Sequence, residues 1–226
     1  NTKLNQLNIG IVGDLGVGKT QLIQSLLYQL RSQPEVNRGH TPSILILDYK
    51  KDYSKPAFVS ATNARVVRPE NMPLNLFDIR DSSGALKPWL QRARCFIDIL
   101  SRIYTGIGPV QQDKLKNAVK RGFEEAAKKG FDAPTIYDVF ESYAYLVGDK
   151  ADAPYSIMSY MVDMELFTRD HESVLPFSEF FDGIVVVDLG SLEDDDKTKN
   201  MLVAIFLNLF YAYMLRVEKQ PFIGTD

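Results

Sequence analysis

One stretch constrains the fold of this chain more than any other: residues 13–20, GDLGVGKT, fit the pattern G-x-x-x-x-G-K-[ST]. An apolar run at residues 9–12 precedes this stretch, and residues 19–31 follow it with leucine and isoleucine at helical spacing. Glycines between a strand and a helix let backbone N–H groups converge on an anion, and the helix N-terminus favours negative charge. The sequence therefore predicts a phosphate-binding loop between a buried parallel strand and a helix.

The side chains of this loop predict a nucleotide with a metal ion. Lys19 is placed to bridge the β- and γ-phosphates, and the Thr20 hydroxyl to ligate Mg²⁺, so ATP and Mg²⁺ are the predicted cofactors. Lys19 is also the first candidate catalytic residue. The residues predicted to contact the nucleotide are Gly13, Asp14, Leu15, Gly16, Val17, Gly18, Lys19, Thr20 and Gln21.

Hydrolysis also needs carboxylates that hold Mg²⁺ and orient water, and three acidic residues compete for these roles. Asp48 ends the run ILILD, Asp52 follows it in DYKKD, and Asp188 ends IVVVD. We expect Asp48 to join Thr20 as a metal ligand, with Asp48 and Asp52 as candidate catalytic residues. For Asp188, a turn or cap at the strand end is the alternative. Neither strand aspartate is followed by the Glu that many such ATPases use to orient water.

The pattern along the chain predicts an α/β fold: a parallel sheet that carries a helical insertion. We expect residues 1–85 to form the first part of the core, 86–175 the insertion, and 176–226 the second part, with the sheet incomplete at the C-terminus. The predicted strands are 9–12, 43–50, 64–69 and 182–190, and the predicted helices are 19–31, 88–104, 111–129, 134–147, 155–167 and 197–217.

Composition excludes several classes of protein. A net charge of −3 over 226 residues gives no bulk attraction to nucleic acid or anionic lipid. Cys95 is the only cysteine, so no intrachain disulfide forms; we expect it to be half-buried, and His40 and His171 to lie at the surface. The longest apolar segment has about 15 residues, fewer than a bilayer requires, so we predict no membrane association and a cytoplasmic location.

Four stretches carry a resemblance to a known family: GDLGVGKTQLIQSLLYQL, LILDYKKDYS, LNLFD and VVVDLGSLEDDDKTKNMLVAIFLNLFY. On these the chain resembles the P-loop NTPase domain, with a RecA-like fold, of the HerA/FtsK superfamily of ring-forming DNA translocases. Within that superfamily it is most similar to the DptH family, the ATPases of phosphorothioation-dependent DNA restriction systems.

The resemblance implies roles for individual residues. Residues 13–20 are then the Walker A motif, and Asp48, Lys50 and Asp52 fall in a D-x-K-G-E-like segment beside the γ-phosphate. This chain has Lys51 and Asp52 where that pattern has Gly and Glu. The Walker B Asp-Glu pair would follow one strand later, after residue 226, so Asp188 is not expected to supply it.

The resemblance also implies three kinds of partner. They are double-stranded DNA contacted through its phosphate backbone, further copies of this chain in a hexameric ring, and other proteins of a restriction system. The candidate DNA surface is the basic helix at 111–129, with a plain solvated face as the alternative. Arg92, Arg94 and Arg102 are candidates for an arginine finger.

Three functions follow from these observations. The first is the motor domain of a DNA translocase in restriction of foreign DNA. The second is a nucleotide-gated interaction module that binds ATP without turnover, because the Asp-Glu pair is missing. A small-molecule kinase with the helical insertion as its lid is the third.

Overall fold

The computed structural model describes residues 9–35, 39, 41–80 and 86–216 of the chain. Within these ranges it contains three strands, β1 (Ile44–Asp48), β2 (Arg65–Val67) and β3 (Ile184–Asp188). The helices are α1 (Lys19–Ser32), α2 (Pro56–Thr62), α3 (Pro88–Ile103), α4 (Pro109–Lys128), α5 (Ile136–Val147), α6 (Ala153–Asp163), α7 (Phe177–Phe180) and α8 (Asp196–Met214).

The three strands form one parallel sheet in the order β1-β3-β2. Ile44 lies opposite Ile184 and Asp48 opposite Asp188, while Arg65 lies opposite Val185. Every residue of the central strand β3 is buried, as expected for a parallel strand covered on both faces. The chain is therefore an α/β protein with a small parallel sheet and many helices.

Helices cover both faces of the sheet because successive strand residues point to opposite sides. On one face Ile184 and Val186 pack with Ile46 and with Phe58 of α2, and Leu27 of α1 leans on the same cluster. On the other face Val185 and Val187 join a larger core that the helices following β2 build. The phosphate-loop helix α1 is thereby fixed on the α2 side of the sheet.

The strand predicted at residues 9–12 is wrong. These residues have no strand conformation, and Ile9 and Val12 are 86% and 96% exposed. In the described part of the chain, β1 pairs only with β3, and residues 9–12 pair with no strand. A short apolar run suits a buried strand, but pairing depends on distant parts of the chain, which local pattern does not contain.

Most other predicted elements are confirmed within a few residues, with two corrections. Helix α6 ends at Asp163, so the apolar residues 166 and 167 lie beyond it. They belong to an extended segment in which Phe167 forms an isolated parallel β-bridge with Met72. Helix α8 ends at Met214, and residue 217 lies outside the described residues. The acidic segment before α8 caps it, because the Asp195 carboxylate accepts a hydrogen bond from the Thr198 N–H at 3.1 Å.

The predicted surface position of His171 is wrong. Its ring stacks on Phe131 with centroids 4.0 Å apart, and its Nε2 lies 3.0 Å from an Asp138 carboxylate oxygen, leaving the side chain 15% exposed. His40 lies outside the described residues, and Cys95 is half-buried as predicted. Among the described helices, none is both long and apolar enough to cross a bilayer.

Candidate nucleotide-binding site

Residues 13–20 form a glycine-dependent loop that leads directly into α1. Gly16 and Gly18 have φ of 82° and 86°, the left-handed region that favours glycine, and Gly18 is the N-cap of α1. A Cβ on Gly13 would lie 3.0 Å from Cγ2 of Val17, so glycine also relieves crowding at the start of the loop. The glycines of the motif thus lie at the positions where the loop backbone requires them.

Lys19 folds back over this loop. Its ammonium donates to the carbonyl oxygens of Gly13 at 2.6 Å and Asp14 at 2.5 Å. The N-terminus of α1 has no side-chain cap and no acidic residue in its first turn. Its first N–H groups and its dipole are therefore available to an anion, beside a lysine already held at the loop.

Asp48 organises the segment that follows β1. The side chain is 2% exposed. Its Oδ1 accepts from the N–H groups of Lys50 at 3.3 Å and Asp52 at 3.1 Å. Its Oδ2 accepts from the N–H groups of Tyr53 at 2.9 Å and Ser54 at 3.0 Å, and from the Ser54 hydroxyl at 3.0 Å. Five donors thus converge on one carboxylate, which has only about four lone-pair sites, so its capacity to accept hydrogen bonds is fully used. The role of Asp48 as a metal ligand or catalytic group stays a prediction.

Asp52 lies in the same segment and is tied to the phosphate-loop helix. Its main-chain oxygen accepts from Nε2 of Gln24 at 3.0 Å. Gln24 lies four residues after Thr20, about 6 Å along a helix axis. The Asp52 carboxylate pairs with Lys55 at 2.8 Å, and this hydrogen bond and charge raise the pKa of Lys55. Burial, and then the charges of Asp48 and Asp52, raise the pKa of Tyr53.

Asp188 differs from its register neighbour Asp48. It is 6% exposed, and its Oδ1 is buried without a hydrogen-bond partner among the described residues. Of the turn or cap that is the alternative role of Asp188, the side-chain cap does not form. Instead the Ser191 hydroxyl donates to the Asp188 main-chain oxygen at 2.7 Å, which closes a short 3-10 turn at the strand end.

Two features of this region were not predicted. Lys51 has a φ of 57°, so the position that the D-x-K-G-E pattern gives to glycine does adopt a backbone that favours glycine. Arg68 and Glu70 also reach the carboxyl edge of the sheet, beside Asp188. Both lie within three residues of the end of β2, and the rule that the carboxyl ends of parallel strands meet at one edge could have found them.

Several cations of the basic helix predicted to contact DNA are paired within the chain. On α4, Lys116, Lys120 and Lys128 each lie within 4 Å of a carboxylate on the same helix. Arg121 lies over the Tyr145 ring, 3.9 Å from its centroid. DNA binding stays a prediction.

The three arginines predicted near α3 have different surroundings. Arg92 is buried, Arg102 pairs with Asp98 at 2.9 Å, and Arg94 is exposed. A role as an arginine finger requires an exposed guanidinium that a neighbouring subunit can approach. Of the three, Arg94 fits that requirement best.

Comparison with solved structures shows a likeness of fold to a known protein. No protein-family model matches the sequence, and no curated protein matches it. The structure is similar to that of VirB4 of Thermoanaerobacter pseudethanolicus, with a TM-score of 0.63 and 15% sequence identity. The alignment covers 91% of this chain and 56% of that chain, so this chain spans little more than half the length of the VirB4 structure. At this identity the likeness concerns the fold alone.

Proposed function

We propose that this chain is an ATP-binding and ATP-hydrolysing domain of a motor protein. The observation that carries the proposal is the loop at residues 13–20: two left-handed glycines, an uncapped helix N-terminus and a lysine bound to the loop carbonyls. The fold shared with VirB4, a P-loop ATPase of the FtsK/HerA type, supports the same assignment. Because the two sequences are only 15% identical, the support from VirB4 comes from the fold alone.

The geometry suggests how the loop would receive a triphosphate. The Lys19 ammonium would exchange its two carbonyl contacts for the β- and γ-phosphate oxygens, and the first N–H groups of α1 would bind the same anion. Thr20, at the start of the helix, fits the role of the hydroxyl ligand to Mg²⁺, with phosphate oxygens beside it. Asp48 would join the metal only by giving up some of its five hydrogen bonds.

Nucleotide affinity tests this assignment most directly. We expect Lys19→Ala to weaken MgATP binding by roughly a hundredfold, because charge-assisted contacts to phosphate are lost. Lys120→Ala is the matched control: it removes an exposed lysine on α4 and should leave affinity unchanged. Isothermal titration calorimetry with MgATP gives both values. Equal MgATP affinity in the Lys19→Ala and wild-type proteins would refute a phosphate-binding role for the loop.

The finer proposal is that the domain drives DNA translocation as part of a ring, in a system that restricts DNA according to its phosphorothioate modification. It rests on the sequence resemblance to the HerA/FtsK superfamily and the DptH family. ATP turnover by the natural protein should rise on addition of double-stranded DNA of any sequence, and mass photometry should detect a hexamer with nucleotide. ATP turnover that DNA does not change, in a protein that stays monomeric, would contradict this proposal.

A second candidate is an interaction module that binds ATP without turnover. Two observations favour it: the carboxylates of Asp48 and Asp52 are both engaged in the described structure, and no residue of α1 is fully buried. Its leucines Leu22, Leu26 and Leu30 are 51%, 45% and 42% exposed, as a contact face for a partner would be. Single-turnover assays of the natural protein with radiolabelled ATP distinguish the two candidates, since phosphate release supports only the motor.

A further inference from the structure

A cavity of about 550 Å³ opens at the carboxyl edge of the sheet, and no residue of the 13–20 loop lines it. The segments that follow all three strands contribute to it: Lys51 after β1, Arg68 after β2, and Asp188 and Ser191 at the end of β3. Crevices outside the carboxyl ends of parallel strands are where α/β proteins bind ligands. The volume is also within the range of small-molecule sites.

Asp188 gives this cavity an unsatisfied hydrogen-bond acceptor. The residue lines the cavity and is 6% exposed, and its Oδ1 has no partner among the described residues. Asp48, directly opposite in the register, accepts five hydrogen bonds. A buried carboxylate oxygen without a donor is costly, so a ligand that donates to it gains correspondingly. The terminal torsion of aspartate is broad, so a small rotation turns either oxygen toward such a donor.

Two cationic side chains complete the polar lining. Neither Lys51 nor Arg68 forms an ion pair within the described ranges. The stem of Lys51 lies across Gly190, where an added Cβ would come within 2.7 Å of Lys51 Cγ, so its path is fixed by packing. Both cations are exposed and can meet an anionic group that enters the cavity.

The remaining lining limits the charge and shape of the ligand. With Glu70, Asp163 and Glu165 also at the cavity, four carboxylates against two cations give a formal charge of −2. This charge disfavours a triphosphate more strongly than a single phosphate, which the two cations can pair locally. Pro69, Met164 and Leu192 supply apolar surface on which a flat ring can pack. No described group of three or more His, Cys, Asp or Glu side chains is arranged to hold a metal ion, so these carboxylates do not suggest a cation site.

We propose that this cavity is a second nucleotide site, specific for a nucleoside monophosphate and separate from the 13–20 loop. The ribose hydroxyls donate to the Asp188 carboxylate, and the phosphate pairs with Lys51 and Arg68. The base packs on the apolar wall. The inference goes beyond the proposed ATPase function and does not require it, because none of its contacts involves Lys19.

The test is calorimetric titration with AMP, using Lys19→Ala protein so that the loop makes no contribution. We expect AMP binding to persist in that background, and Asp188→Asn to weaken it roughly tenfold because a charge-assisted acceptor is lost. Arg68→Gln should weaken it to a similar degree. The matched control is Arg169→Gln, which alters an exposed arginine that does not line the cavity and should have no effect.

A ligand analogue makes the test independent of folding defects in the variants. Against wild-type protein, 2′,3′-dideoxy-AMP should bind roughly tenfold more weakly than AMP, and Asp188→Asn should abolish most of that difference. The proposal is overturned if wild-type protein binds no AMP at up to about 5 mM. It is equally overturned if Lys19→Ala abolishes AMP binding, or if AMP and the dideoxy analogue bind alike. Loss of MgATP binding in Lys19→Ala bears only on the loop.

Discussion

The substitution Asp48→Asn distinguishes two roles of this carboxylate: holding the segment after β1 by hydrogen bonds, and ligating Mg²⁺. In the structure the side chain is buried and its oxygens accept four main-chain N–H groups and one hydroxyl, which closes the segment from Lys50 to Ser54. A metal ligand, in contrast, needs free lone pairs directed toward the phosphates. Replacement by asparagine keeps the shape of the side chain but turns one acceptor into a donor.

The expected effect is a loss of stability. If the asparagine carbonyl keeps the Oδ1 position, its amide nitrogen faces the N–H groups of Tyr53 and Ser54. Each buried donor left unpaired costs about 1–3 kcal/mol, and the segment is only partly buried, so we expect a loss of about 2–4 kcal/mol in the free energy of unfolding. MgATP affinity should change far less, as long as the segment keeps its contact to Gln24.

Urea denaturation, followed by the fluorescence of the single tryptophan Trp89, measures the stability. Titrations with ATP in the presence and absence of Mg²⁺ measure the metal dependence of binding. Asp52→Asn is the control, because it removes a largely exposed pair with Lys55 and should change stability little. Unchanged stability of Asp48→Asn, together with a loss of Mg²⁺-dependent affinity, would refute our reasoning and make Asp48 a metal ligand.

Two further predictions concern the helical part of the chain. Burial acts to raise the pKa of Asp138, but hydrogen bonds from Thr135 and the charges of His171 and Lys129 more than offset this and lower it. Its contribution to stability is therefore present above the ordinary pKa of 3.8 and is lost as pH falls through the lower folded-state pKa. Asp138→Asn should make the free energy of unfolding less dependent on pH between the folded-state pKa and 3.8. It should also remove about 1 kcal/mol of stability at neutral pH, because the capping box of α5 is lost. Denaturant titration at several pH values measures both effects, and an unchanged pH dependence in the acid range would count against the prediction. Tyr143→Phe should cost about 1.5–3 kcal/mol, because the buried hydroxyl lies 2.9 and 3.0 Å from the carboxylate oxygens of Asp152. Burial, with the hydrogen bond and charge of Asp152, raises the Tyr143 pKa, so the loss of stability above pH 10 should be smaller in the variant than in the wild type.

The helices could be predicted because their signals are local. Helix α4 repeats apolar residues at helical spacing and ends two residues before Gly130, whose φ is 86°. Helix α5 begins at Thr135 with a reciprocal capping box. Such patterns involve only residues within one or two helical turns of each other, so they can be recognised in the amino-acid sequence alone.

The sites at the sheet edge could be predicted only in part, because they combine distant segments. The sequence indicated that Asp48 and Asp188 end apolar strands, and the structure pairs them in register. It could not indicate that five donors surround one carboxylate while an oxygen of the other has no partner in the described chain. That difference arises from the backbone path of residues 50–54, including the left-handed Lys51.

These two aspartates divide the carboxyl edge of the sheet into two regions. On the β1 side, Asp48 holds a segment that also contacts α1 through Gln24, so changes at the phosphate loop can reach it. Toward β2, Asp188 meets a cavity lined by Lys51 and Arg68. Lys51 belongs to the segment that Asp48 holds and also lines the cavity. A shift of this segment when phosphate binds at Lys19 would therefore move one wall of the second site, which predicts that MgATP and AMP alter each other's affinity by the same factor.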